Sequence, residues 1–113
     1  MLIHESSVFQ ATYDVLKDLH VARRSFAKSE KYALGERMEE TLLNVLLGII
    51  DAGQAKQEWK LTGIDAALRE LEKTKILLRL ASDLGQIQER RLISYQESLQ
   101  KIGRMLGGWR RAI

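Results

Sequence analysis

Toward the C-terminal end of the chain, apolar residues fall at Leu92, Tyr95, Leu99, Ile102, Leu106, Trp109 and Ile113. This alternating spacing of three and four winds down one side of a helix. It predicts a helix over 89–113 with one packed face, while Arg90, Lys101, Arg104 and Arg111 fall roughly opposite. The same spacing in Val8, Thr12, Val15, Leu19, Ala22 and Phe26 predicts a first helix from Glu5 to Phe26. A second is predicted by Met38, Leu42, Val45, Ile49 and Ala52, beginning between Ser29 and Leu34 with Ser29 as N-cap and Glu30 in its first turn. Leu43, Leu46, Leu47 and Ile50 widen that stripe, which implies burial on more than one side. Gly53 reads as its stop.

The third predicted helix runs from Leu61 to Leu84, with Ile64, Leu68, Leu71 and Leu78 on one face and Gly85 as its stop. In its second half Ile76, Leu77, Leu78, Leu80, Ala81 and Leu84 surround the axis, leaving a narrow polar strip of Lys75, Arg79 and Asp83. Such a helix needs cover on two sides, so Ile76, Leu77 and Leu80 are the expected subunit interface. Gly103 and Gly107, four apart on a flank of the last helix, extend it, because close approach by another helix offsets the low helix propensity of glycine. Four amphipathic stripes with short connections and no strand-like alternation predict an all-α fold. The expected architecture is an antiparallel up-down-up-down four-helix bundle, one domain over 1–113.

Composition agrees with an ordered helical chain: no proline, eight glycines, 45% apolar and 29% charged residues in 113. The absence of cysteine excludes disulfides, a thiolate nucleophile and any cysteine-ligated metal. The longest apolar run, Val45 to Ile50, is short, and the opening MLIHESS has no basic stretch followed by a long apolar one. Neither a membrane span nor a secretory signal is expected, and the expected location is the cytoplasm. The net charge of +3 is modest, but its distribution is not even. Residues 89–113 hold six bases against two acids, whereas 29–54 hold two bases against five acids.

Several residues admit two readings. Arg23, Arg24 and Lys28 suit the negative end of the first helix, or form part of a shared basic surface. Glu36, Glu39 and Glu40 have a spacing that presents two carboxylates to a metal, but no histidine joins them, and a solvated acidic face is expected. Trp59 is expected to cover one end of the core, with stacking on a nucleic-acid base as the alternative. Arg79 is expected to pair with Asp83, or else to point its guanidinium at phosphate or an acidic partner.

No catalytic arrangement is present in the sequence. His4 and His20 belong to no Glu-x-x-His or paired-histidine motif, no glycine loop cradles phosphate, and serines such as Ser6 and Ser94 have no recognisable base. A non-enzyme without cofactor or metal is expected. What remains is a small bundle with cationic helix faces. A symmetric ring of such bundles would repeat a weak phosphate-binding patch and gain avidity.

The stretch Lys28-Ser29-Glu30-Lys31-Tyr32-Ala33-Leu34-Gly35-Glu36-Arg37-Met38, with Leu77-Leu78-Arg79-Leu80 and Ile102-Gly103-Arg104-Met105-Leu106-Gly107-Gly108-Trp109, resembles a known family. It is the four-helix-bundle family of Avd, the accessory variability determinant of diversity-generating retroelements, whose relatives are encoded by ribosomal-RNA intervening sequences. The resemblance covers nearly the whole chain, and its last motif is the most specific. It implies a homopentameric barrel with a basic surface that binds the element's reverse transcriptase and nucleic acid, RNA or DNA, and supports mutagenic copying. It points to Arg79 and Arg104, then to Lys28 and Arg37. Ala27 stands where relatives often have proline, and the terminal pair Arg110-Arg111 is more basic than in many of them. Arg79, Lys101, Arg104, Arg110 and Arg111 are thus the expected phosphate or polymerase contacts. The alternatives are a ribosomal-RNA intervening-sequence protein and an interaction module that binds no nucleic acid.

Overall fold

A computed structural model describes residues 2–113. Among the described residues every regular element is helical: a 3-10 turn at Ile3–Glu5, then α1 (Ser7–Arg23), the single-turn α2 (Lys28–Lys31), α3 (Leu34–Gln54), a second 3-10 turn at Gln57–Trp59, α4 (Lys60–Asp83) and α5 (Glu89–Arg111). The four long helices run up-down-up-down. α1 packs on α3, α3 on α4, α4 on α5 and α5 back on α1, which closes a bundle 43 × 23 × 21 Å in extent.

The predicted stripes are the core. Leu19, Met38, Leu42, Ile49, Ile64, Leu71, Leu78, Leu99, Ile102 and Leu106 are almost completely shielded from solvent. Each such side chain contributes about 1.5–3 kcal/mol through burial. Leu92, Trp109 and Ile113 are partly buried at the edges of the same cluster.

The helix ends depart from expectation more than their middles. Ser6 caps α1, its Oγ accepting from the Phe9 amide at 3.3 Å. The helix stops at Arg23, and Phe26 reaches the core from the following turn instead of from a last helical turn. Ser29 caps nothing: the chain makes the single turn of α2 and breaks at Tyr32 and Ala33 before α3 begins at Leu34. Arg23 organises that break. Its Nε donates to the Lys31 carbonyl at 2.6 Å, its Nη1 to Glu39 at 3.2 Å, its guanidinium lies 5.8 Å from the Tyr32 ring centre, and its stem packs on Gly35.

Gly53 is not a stop, since α3 continues to Gln54. It is small because the Ile3 side chain lies against it, 2.5 Å from where a Cβ would stand. The carbonyls at the end of α3 are met by Lys60, whose Nζ lies 2.9 Å from the Ala52 oxygen and 3.4 Å from that of Gly53. At the end of α4 the reading of Gly85 holds. It adopts a φ of 75°, its amide donates to the Ser82 carbonyl and that of Gln86 to Ala81, the two bonds of a Schellman stop.

The closest helix approach is between α3 and α4. Gly48 and Ala52 meet Gly63 and Ala67 there, with ideal Cβ positions on the glycines only 2.9–3.2 Å from atoms of the facing helix. Lower on the same seam the Thr74 hydroxyl lies 2.8 Å from that of Thr41, which itself donates to the Met38 carbonyl at 2.9 Å. Burying these hydroxyls is inexpensive because they are paired.

Candidate nucleic-acid and subunit interface

The cationic face of α5 follows from its register. Tyr95, Leu99, Ile102 and Leu106 turn one side into the core, so Arg90, Lys101, Arg104 and Arg111 emerge on the other. All four are exposed, and none makes an ion pair among the described residues. From Arg90 to Arg111 the strip runs about 32 Å at helical rise. Glu97 is the one acid on the same face. Unpaired guanidinium and ammonium groups in solvent are free to meet phosphate, at the cost of side-chain ordering alone.

Arg110 and Arg91, on the flanks, are committed within the protomer. Arg110 Nε donates to Asp65 of α4 at 2.7 Å, and that bond holds the Asp65 carboxyl below its ordinary range. Arg91 reaches Asp18 of α1 at 3.2 Å and lies 5.8 Å from the centre of the Tyr95 ring. Burial above all, with the nearby Asp18 carboxylate, pushes the Tyr95 phenol up to about 12, so it stays a neutral core group. These pairs link α5 to α4 on one side and to α1 on the other.

The seven basic candidates do not form one site. Arg110 and Arg111 stand at the end of the bundle where α4 begins, Lys101 and Arg104 nearer the middle of α5. Lys28 and Arg37 lie toward the opposite end, where Gln86 accepts from the Ala27 amide and Arg37 lines a groove with Glu40, Thr41, Asn44, Glu70, Ile76 and Leu77. Arg79 is exposed on α4 and does not pair with Asp83, contrary to expectation. A four-residue spacing permits such a pair, but in solvent it contributes too little to hold two mobile side chains together.

On the same helix Ile76 is 67% and Leu80 43% exposed, while Leu77 is half-buried in the groove against α3. Ile76 and Leu80 thus present apolar surface that the protomer leaves uncovered. Gly103 and Gly107 flank the seam of α5. A Cβ on Gly103 would touch only the tip of Leu71 at 3.4 Å, and on Gly107 only Arg111 of its own helix at 3.5 Å. Within the protomer, then, close backbone approach belongs to Gly48 and Gly63. Their four-residue spacing to Ala52 and Ala67 is visible in the sequence and could have signalled it.

Two further readings are corrected. Trp59 does not cover the core; it is 62% exposed on the turn before α4. Glu39 is not part of a solvated acidic face, because it bridges α3 to α1 through His20 at 2.6 Å and Arg23. Among the described residues no group of three or more histidine, cysteine or acidic side chains is placed to hold a metal ion. Nor is any helix long and apolar enough to cross a membrane. No curated protein and no solved structure matches the chain. A family model described as bAvd-like matches residues 6–113, from the cap of α1 to the last residue, and the chain therefore belongs to the bAvd-like family.

Proposed function

We propose that the protein is a non-enzymatic accessory protein of a diversity-generating retroelement. In this reading it works in the cytoplasm as a ring-shaped homo-oligomer, a pentamer. It binds the element's reverse transcriptase and template RNA or complementary DNA through its basic surfaces, supporting mutagenic retrohoming. The observation that carries the reading is the α5 strip, with Arg90, Lys101, Arg104 and Arg111 exposed and unpaired on a helix whose other face is locked into the core. Membership of the bAvd-like family supports the retroelement context.

Assembly is supported by uncovered apolar surface on two different faces. Ile76 and Leu80 stand on α4, whereas Tyr13 of α1 and Leu43 and Leu47 of α3 are each more than 40% exposed on another part of the bundle. Two unlike faces suit the head-to-tail contacts from which a closed ring is built. Repetition of the strip around a ring multiplies phosphate contacts that one protomer offers only weakly.

The test is charge reversal at Arg104 and Arg111. Neither side chain has a partner in the protomer, so the double change to glutamate should leave helicity unaltered and lower the melting temperature only slightly, through the acid placed in the last turn of α5. Binding of a structured RNA at low salt should fall at least about tenfold, as expected for losing and inverting two phosphate contacts. Undiminished binding would remove the α5 strip from the reading.

A further inference from the structure

Trp59 is the tryptophan that the fold leaves out. Trp109 packs against the core at the same end of the bundle, beside an apolar nook lined by Leu2, Ile3, Val8 and Met105. Trp59, by contrast, is 62% exposed and has neither an aromatic neighbour nor a cation over its ring among the described residues. Its position is nonetheless rigid. Its amide donates to the Lys56 carbonyl at 2.9 Å, and α4 begins at the next residue. That residue, Lys60, fastens the turn to the end of α3 through the Ala52 and Gly53 carbonyls.

Bases available to phosphate stand at the same end of the bundle. Lys56, whose carbonyl accepts from the Trp59 amide, is exposed on the same turn, and the Arg110–Asp65 bond brings the end of α5, with the unpaired Arg111, to the start of α4. The acids of this end are Glu5, Asp51 and Glu58, all exposed, and Asp65, which Arg110 already engages. A flat aromatic face held on a stiff turn among bases has the make-up of a nucleobase platform: stacking engages the π-face, and nearby cations meet the flanking phosphates.

We infer that Trp59 stacks on an unpaired base of a single-stranded nucleic acid, at a site separate from the α5 strip. The inference rests on the proposed nucleic-acid binding and deepens it by naming the class of strand. Bases inside a duplex already stack on one another and present no free face, so only single-stranded segments can use the platform.

The experiment measures anisotropy of a labelled oligothymidylate and of a labelled duplex of equal length with wild type, Trp59→Ala and Trp59→Phe. Intrinsic tryptophan emission and molar mass are followed in the same low-salt buffer. Single-strand binding should quench wild-type emission, and that quenching should be absent in Trp59→Phe, which retains only Trp109. Trp59→Ala should weaken single-strand binding by at least about fivefold and duplex binding hardly at all, with Trp59→Phe between. Equal single-strand binding by Trp59→Ala, with no quenching of the wild type, would overturn the stacking role and leave nucleic-acid binding standing. A fall in molar mass on Trp59→Ala would overturn it by making Trp59 a subunit contact. If the wild type binds neither probe, both the inference and the reading beneath it fail.

Discussion

Replacing Gly63 with alanine probes the closest packing in the molecule. A Cβ there would stand 2.9 Å from both the Cβ and the amide nitrogen of Ala52 and 3.0 Å from the Gly48 carbonyl oxygen. Two of those atoms are backbone, so relief requires one helix to slide on the other; no rotamer change supplies it. Overpacking of this kind costs about 1–3 kcal/mol. Alanine returns about 1 kcal/mol through its higher helix propensity. With a backbone obstacle the steric cost sits in the upper half of its range, so the net loss should be about 1–2 kcal/mol.

For a domain of this size such a loss lowers the melting temperature by roughly 5–10 °C. The assay is thermal and urea unfolding followed by far-ultraviolet circular dichroism, at several protein concentrations because assembly adds stability by mass action. Gly107→Ala is the control. A Cβ there meets only the Arg111 guanidinium at 3.5 Å, so the protomer should gain about 1 kcal/mol. A rise in melting temperature for Gly63→Ala, matching that control, would refute the close α3/α4 approach. A fall for Gly107→Ala accompanied by lower molar mass would place that flank in a subunit contact.

Arg23→Met keeps most of the apolar stem but removes the bonds to Lys31 and Glu39, and should cost about 2 kcal/mol. Hydrogen exchange should quicken first in α2 and at the start of α3; an unchanged exchange pattern would contradict the hub role of Arg23. Asp65, with its carboxyl held below its ordinary range in the folded state by Arg110, contributes stability that is present above its unfolded pKa and lost as pH falls through the folded one. Melting curves between pH 5 and about pH 2 should therefore show a smaller acid-induced loss for Asp65→Asn than for wild type, and parallel curves would exclude the linkage. Ile76→Asp places a charge on an exposed position, so the protomer should keep its helicity while molar mass by light scattering falls. An intact oligomer would free the outer face of α4 from the interface.

The middles of the helices were legible because burial repeats with the helical period. Leu99, Ile102 and Leu106, or Leu42, Val45 and Ile49, announce a core face whatever they pack against. Gly85 was legible for a local reason, since a left-handed residue after an apolar run needs no tertiary information. The errors concern contacts between distant segments. Gly53 looks like helix punctuation, yet Ile3, far away in sequence, decides what happens there, and at Ser29 the outcome turns on Arg23, a side chain of the preceding helix whose reach to Lys31 and Glu39 no local pattern shows. Arg110 reads as a free base until the bundle brings Asp65 beside it. The exposure of Lys101, Arg104 and Arg111 was readable because an outward helix face depends only on register. Trp59 was misjudged because tryptophan is usually buried, and a fold can leave one outside when the turn that carries it is anchored by its backbone.

The central claim is that an oligomer neutralises several phosphates at once through the outer face of α5. Its most direct test is the affinity of the purified protein for a structured RNA across a range of salt, with molar mass recorded in the same buffers. The account predicts binding by an oligomer whose log affinity falls linearly with log salt, at a slope that shrinks when Arg104 and Arg111 are reversed. No binding at low salt, or a slope indifferent to those two residues, would contradict it.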